Sequence, residues 1–220
     1  MIDVIYEDNH LIAVNKAASD LVQGDKTGDE PLGDKIKAFL KEKYNKPGDV
    51  YLGVTHRIDR PVTGVVLFAK TSKALARVNQ MFQDKTIQKT YWAIVVQPPP
   101  LKEDQLENYL VKNSEKNKSF AFKQEIKNSK LAVLTYKWLT SYDHQNLLEV
   151  SPKTGRHHQI RCQLAHIGHP LRGDLKYGAK RSNEDGSICL HSAKLLFTHP
   201  ITKESMCIAA ELPKTSAWIQ

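Results

Sequence analysis

The stretch His56-Arg57-Ile58-Asp59-Arg60-Pro61-Val62-Thr63-Gly64 sets one carboxylate among three basic side chains and opens into the apolar run Val65-Val66-Leu67-Phe68-Ala69. Opposite charge nearby favours the ionised form of an acid. An aspartate between Arg57 and Arg60, with His56 just before it, therefore suits nucleophilic attack better than proton donation. Pro61 and Gly64 mark a turn, and the apolar run that follows predicts a strand, which puts Asp59 at the edge of a core. An ordinary surface Arg-Asp pair in a turn has the same local sequence, and these nine residues alone do not separate the two.

Two further stretches carry side chains of chemical interest. In Ile87–Val96 strand alternation places Lys89 and Tyr91 on one face, so Tyr91 is either a site-facing aromatic beside a lysine or a plain sheet tyrosine. In Thr154–Pro170 the apolar spacing Ile160, Leu164, Ile167 predicts a helix stopped by Gly168 and Pro170. Arg156, His157, His158 and Gln159 gather at its start, where free backbone N–H groups favour anions such as phosphate. Cys162, His166 and His169 suggest a metal at first sight, but the paired thiolate spacing that zinc favours is missing, and no metal is expected. Gly24-Asp25-Lys26-Thr27 lacks the glycine-spaced run of a nucleotide cradle, and no helix starts directly after it, so no nucleotide cofactor is expected either.

The elements that must position these residues alternate along the chain. Strands are predicted at Val4–Tyr6 and Leu11–Asn15, a lysine-rich helix from Pro31 to about Tyr44, and a second helix capped by Thr71 or Ser72 whose stripe is Leu75, Val78 and Phe82. Beyond Pro98-Pro99-Pro100, the best candidate for an internal boundary, four short strands lie at Leu106–Val111, Ser119–Phe122, Leu131–Leu139 and Leu147–Val150, with the lysine-rich stretch Lys112–Lys118 as an exposed loop. Short turns between them predict an antiparallel meander, and two more strands, Ile188–Phe197 and Met206–Ala210, end the chain. The class is α+β: a mixed, largely antiparallel central sheet flanked by helices.

With 220 residues the chain is long enough to bury roughly 70% of its unfolded surface. Its three cysteines, Cys162, Cys189 and Cys207, fall at irregular spacing and point to a reducing compartment, read here as the cytoplasm. No apolar run reaches the roughly 18 residues of a membrane helix, and the N-terminus has no secretory pattern. Lys and Arg number 32 against 24 Asp and Glu, a formal charge of +8, which tilts the expected partner toward a polyanion.

Taken together, the landmarks resemble the RluA-type pseudouridine synthases, enzymes of ribosomal and transfer RNA. Tyr6-Glu7-Asp8 through Leu11-Ile12-Ala13-Val14-Asn15-Lys16 is similar to that family's opening motif, His56-Arg57-Ile58-Asp59 with Thr63-Gly64 to its catalytic motif, and Lys89-Thr90-Tyr91 to its strand motif. Gly155-Arg156 with His158-Gln159-Ile160-Arg161, Leu164-Ala165-His166, Gly168-His169-Pro170 and Gly173-Asp174 is similar to its third motif, and Leu190-His191-Ser192 with Phe197-Thr198-His199-Pro200 to its C-terminal signature. The order of all five is what makes the resemblance specific. Departures are Ala17 for Pro, Ile58 for Leu, Val62-Thr63 for Thr-Ser, His157 for Thr and Gln163 for His, and none removes the acid, the tyrosine or the arginine.

The resemblance implies a pseudouridine synthase catalytic fold with a central RNA-binding cleft and a single catalytic domain over residues 1–220 without an N-terminal S4 domain; nothing in the sequence requires more than a monomer. It implies isomerisation of a uridine in structured RNA without cofactor or metal. Asp59 is then the nucleophile, Tyr91 the group stacked on the flipped base, and Arg161 the partner that keeps Asp59 ionised. Arg57 would fill the space the base leaves, with His56, Arg60, Lys89, Arg156 and His158 as further RNA contacts. A catalytically silent RNA-binding protein or RNA chaperone on the same fold is the competing reading, against which the intact Asp59 argues. An aspartyl phosphatase of the haloacid dehalogenase type would need a second Asp where Pro61 stands.

Overall fold

Apolar alternation and capping residues translate directly into the elements of the computed structural model, which describes residues 2–24, 28–143 and 145–218. Asp25, Lys26 and Thr27 of the stretch weighed as a nucleotide cradle lie outside the described residues. The chain forms two compact units, one running up to Gln88 and resuming over Ser192–Pro213, the other spanning Lys89–His191 and resuming at Lys214. The division therefore falls at the start of the Tyr91 strand and at His191, not at the triple proline.

In the first unit β1 (Val4–Glu7) and β2 (Leu11–Lys16) form an antiparallel hairpin, helix α1 spans Leu32–Lys43, and β3 (Gly53–Val54) and β4 (Thr63–Ala69) flank the Asp59 loop. Helix α2 covers Ser72–Gln83, with Thr71 as its N-cap: the Thr71 Oγ1 accepts the Ala74 N–H at 3.2 Å. β2 runs antiparallel to β4 from Leu11 opposite Ala69 to Lys16 opposite Gly64. Every residue of β4 is buried, which explains its unbroken apolar run. Leu11 and Ala13, Val65 and Leu67, and Ala74 and Val78 of α2 pack into one core.

Gly64 is the tight point of this unit. It holds φ +107°, and a Cβ there would strike the backbone of Ser192. Only glycine joins the Asp59 loop to β4 in this way.

The second unit is an antiparallel sheet of β5 (Gln88–Val95), β6 (Glu103–Asn113), β7 (Lys118–Phe122), β8 (Lys130–Tyr142) and β9 (Gln145–Pro152). Its order is β5-β9-β8-β6-β7. The meander expectation is corrected here, because β8 returns to pair with the free edge of β6 while β7 stays on the outside. Helix α3 (Gln159–His166) packs through Cys162 against Leu110 and Ala132. A short 3-10 turn, Leu175–Tyr177, adds the Tyr177 ring to that cluster. β10 (Leu190–Thr198) passes from the second unit back into the first, where β11 (Ser205–Ala209) lines it antiparallel.

Candidate active site

The Asp59 loop is pinned from both sides by its own apolar residues. Ile58 and Val62 are buried while Arg57 and Arg60 are exposed, so Asp59 is held half-buried between two anchors. The Val62 N–H closes the turn on the Asp59 carbonyl at 3.0 Å. Upstream, Thr55 donates its hydroxyl to the Leu67 carbonyl at 2.6 Å, and His56 Nε2 accepts the Leu67 N–H at 3.0 Å, with its ring against Phe82. His56 thus fastens the loop to β4.

The arginines beside Asp59 in sequence turn elsewhere. Arg60 pairs with Asp29 at 2.8 Å and Arg57 donates to Gln23 Oε1 at 3.2 Å. Within this unit a cation that acts on Asp59 is Lys16, at the end of β2. Its side chain is only 1% exposed, and its ammonium donates to the carbonyls of Ala17, Asp20 and Arg60 at 2.8, 2.8 and 2.9 Å. Burial pushes its pKa down to about 8, while the carboxylates of Asp20 and Asp59 act to raise it. Lys16 stands in the opening motif, but nothing in its spacing shows that it reaches a carbonyl 44 residues away.

The second unit places Tyr91 on β5 opposite Val150 of β9, with the side chain buried. Lys89 is half-buried, its ammonium 3.5 Å from the Thr154 carbonyl, and burial lowers its pKa. Arg161, on α3, is buried with Asp174, which takes its Nε and Nη2 at 2.7 and 2.9 Å. The Tyr177 ring lies 5.1 Å from the same guanidinium. Breaking a buried pair of this kind by removing one partner costs about 3–5 kcal/mol. Asp174 and Tyr177 are residues that sequence reasoning left without a role.

The start of α3 differs from a phosphate-binding helix end. His158 takes the left-handed conformation, φ 52°, as the residue before the helix, and is 8% exposed. Its Nδ1 lies 3.0 Å from the Tyr177 hydroxyl, and the His157 ring stacks on it at 3.8 Å. Burial first, then the neighbouring Arg161 charge, push its pKa down to about 2. His158, expected as an RNA contact, is buried at the start of α3 with its ring turned to the Tyr177 hydroxyl. Arg156, by contrast, is exposed, with Nε on the Leu131 carbonyl at 2.9 Å.

Of the departures in this region, His157 is half-buried and Gln163 fully buried. His157 Nδ1 meets the Ser119 hydroxyl at 2.9 Å, and the fully buried Gln163 points its amide nitrogen at the Leu106 and Ala132 carbonyls and at Asn108 Oδ1. The Cys162 thiol donates to the Ser119 carbonyl at 3.3 Å, and burial pushes its pKa up to about 11. Among the described residues no group of three or more His, Cys, Asp or Glu stands close enough to hold a metal ion.

A family model described as RNA pseudouridylate synthase matches residues 10–166, a span that contains Asp59, Tyr91 and Arg161. The chain belongs to the RNA pseudouridylate synthase family. The tRNA pseudouridine synthase C of Salmonella typhimurium is 32% identical over 238 residues, covering 100% of this chain and 88% of that protein. The ribosomal large subunit pseudouridine synthase C of Buchnera aphidicola is likewise 32% identical, over 96% of this chain and 67% of that protein. The solved structure of human RNA pseudouridylate synthase domain containing 4 shares the fold at TM-score 0.80 with 23% identity, covering 96% of this chain and 89% of that one. The RluA-type resemblance and the α+β class read from the motifs thus hold, and the activity of this pseudouridine synthase is isomerisation of uridine to pseudouridine in RNA. No helix among the described residues is long and apolar enough to cross a membrane.

Proposed function

We propose that this pseudouridine synthase acts on structured RNA, a transfer or ribosomal RNA, with Asp59 as its nucleophile. The observation that carries the assignment is the half-buried Asp59 on a loop clamped by Ile58, Val62 and the Lys16 ammonium. A carboxylate fixed in this way loses little freedom when it attacks. The target uridine leaves its stack to be reached. Asp59 opens the bond between N1 and the sugar, the base turns, and a bond forms from C5 to the same sugar carbon. The C5 proton leaves and N1 gains one, so no group enters or departs and no redox partner is required.

Tyr91 stacks on the turned base and its hydroxyl serves the C5 proton. Arg161, held by Asp174 and Tyr177, keeps Asp59 ionised. Arg57, at the exposed side of the loop, fills the gap in the RNA, and Arg60, Lys89 and Arg156 contact the sugar-phosphate chain, with His56 shaping the loop beneath them. Relatives named for transfer RNA and for the large ribosomal subunit are equally similar at 32%, so overall identity does not choose the target. The irregular cysteine spacing supports work in a reducing compartment, read as the cytoplasm.

The test is the Asp59→Asn variant, which keeps the size and polarity of the side chain and removes the charge. With purified RNA from cells lacking the gene, its rate falls by on the order of 10⁴ or more while RNA binding stays within about threefold. A variant that still forms pseudouridine at the wild-type rate would remove Asp59 from the mechanism.

A further inference from the structure

Half of the chain's formal charge lies in one short segment far in sequence from Asp59. Lys112–Lys130 carries six lysines against two glutamates, a net +4 of the total +8. This segment contains β7, which sits at the edge of its sheet. Alternation along β7 buries Ser119 and turns Lys118, Phe120 and Phe122 to the other face. Phe120 and Phe122 are 39% and 38% exposed. In register beside them, Tyr109 of β6 stands opposite Phe122, and Leu131 of β8, 38% exposed, stands opposite Tyr109. The face is therefore an aromatic and apolar surface three strands wide.

Its border is cationic. The Lys118 ammonium stands at the end of β7, 5.7 Å from the Phe120 ring and 4.9 Å from the Tyr177 ring behind it, Lys123 follows Phe122 in an exposed position, and Arg156 closes the Leu131 side through its bond to that carbonyl. Among the described residues no acid is paired with Lys118 or Lys123, although Lys35, Lys37, Lys43 and Lys70 all have carboxylate partners. Exposed rings on a sheet face with cations beside them match a single-stranded nucleic acid: every base has a π-face to stack, and every linkage has a phosphate. A protein partner would ask for acidic groups around an apolar centre, which fits this border only by charge.

We infer that the outward face of β7, β6 and β8 is a second RNA-binding platform, which takes unpaired nucleobases on Phe120 and Phe122 and their phosphates on Lys118, Lys123 and Arg156. The inference rests on the RNA reading above and adds a surface that contains neither Asp59, Tyr91 nor Arg161 and shares only Arg156 with the sugar-phosphate contacts of that reading. Such a platform lets the enzyme grip an unpaired segment of its substrate independently of the uridine it modifies.

The test uses the full chain with a short fluorescent oligouridine and a blunt RNA duplex of similar length. Phe120→Leu with Phe122→Leu keeps apolar side chains on the strand and removes the rings. The platform predicts that this pair weakens oligouridine binding by about tenfold or more, leaves duplex binding within about twofold, and that Phe120→Tyr with Phe122→Tyr retains wild-type affinity. Lys118→Gln with Lys123→Gln lowers the salt dependence of oligouridine binding by about 1.4 in log–log slope. Oligouridine binding indifferent to the leucine pair would overturn the inference. So would a wild-type dimer in sedimentation that the leucine pair dissolves, because a second copy would then cover the face. If the wild-type chain isomerises no uridine but the leucine pair still releases oligouridine, the functional reading fails and the platform stands. If it isomerises uridine and the pair changes nothing, the platform fails alone.

Discussion

Lys16 is the residue whose role changes most between sequence and structure. Three carbonyls converge on its ammonium, and one of them belongs to Arg60, next to the proposed nucleophile Asp59. Lys16→Met keeps the length and removes the donors. Leaving buried acceptors unpaired costs about 1–3 kcal/mol, read as a fall in urea midpoint, and loosening the loop lowers the rate as well. The pH dependence has a definite sign. The Lys16 pKa is about 8 in the folded chain against 10.5 for an ordinary lysine. Between those values the unfolded chain holds the extra proton, so this group's contribution to stability is present above pH 10.5 and lost as pH falls to 8. Denaturant titrations across that window should show wild-type stability rising with pH relative to Lys16→Met. A second expectation concerns Tyr91: Tyr91→Phe keeps RNA affinity and lowers kcat by about a hundredfold, whereas Tyr91→Ala lowers both. Equal kcat for wild type and Tyr91→Phe excludes the hydroxyl. Asp59 was legible because an acid among bases in a turn is a local pattern. Lys16 and Asp174 were not, because a buried charge is tolerated only by partners that the fold brings from elsewhere in the chain.

At the level of elements, α3 begins in an unusual way. A left-handed His158 precedes it and makes no side-chain cap, and the turn is held by its buried ring against Tyr177 and by Gln159 Oε1, which accepts the Arg156 N–H at 3.0 Å and the Thr154 hydroxyl at 2.7 Å. Its pKa of about 2 lies below the ordinary 6.5. In the window between these values the unfolded chain binds a proton that the folded chain refuses, so stability is lost as pH falls from about 6.5. His158→Asn suits the left-handed backbone and retains an acceptor toward Tyr177. Acid titration of this variant should show a shallower loss of stability below pH 6.5 than wild type, and an identical curve would deny His158 its part in acid sensitivity. The sequence located each strand but the two-residue β3 to within a few residues, since alternation and turn residues are local signals and two residues are too few to alternate. It missed the return of β8 to β6, because short turns predict hairpin neighbours while the register from Leu106 opposite Leu134 to Tyr109 opposite Leu131 is a tertiary match. The triple proline failed as a boundary for a related reason: Pro99 is buried within the second unit, and prolines mark a turn without saying what packs on either side.

For the whole molecule, charge and family speak to the same partner. A chain at +8 that belongs to the RNA pseudouridylate synthases binds its substrate against salt, and its affinity should fall steeply as ionic strength rises. Five ordered motifs made the family readable from sequence, since each marks a place where chemistry or packing restricts the residue type. The choice of RNA was not readable, because phosphate contacts carry no sequence information and the relatives divide between transfer and ribosomal RNA. The most direct measurement is a map of pseudouridine across transfer and ribosomal RNA in cells without the gene, complemented by wild type or by Asp59→Asn. The account predicts that a defined set of sites disappears on deletion, returns with wild type and stays absent with Asp59→Asn. A map unchanged by deletion, or restored in full by Asp59→Asn, would contradict it.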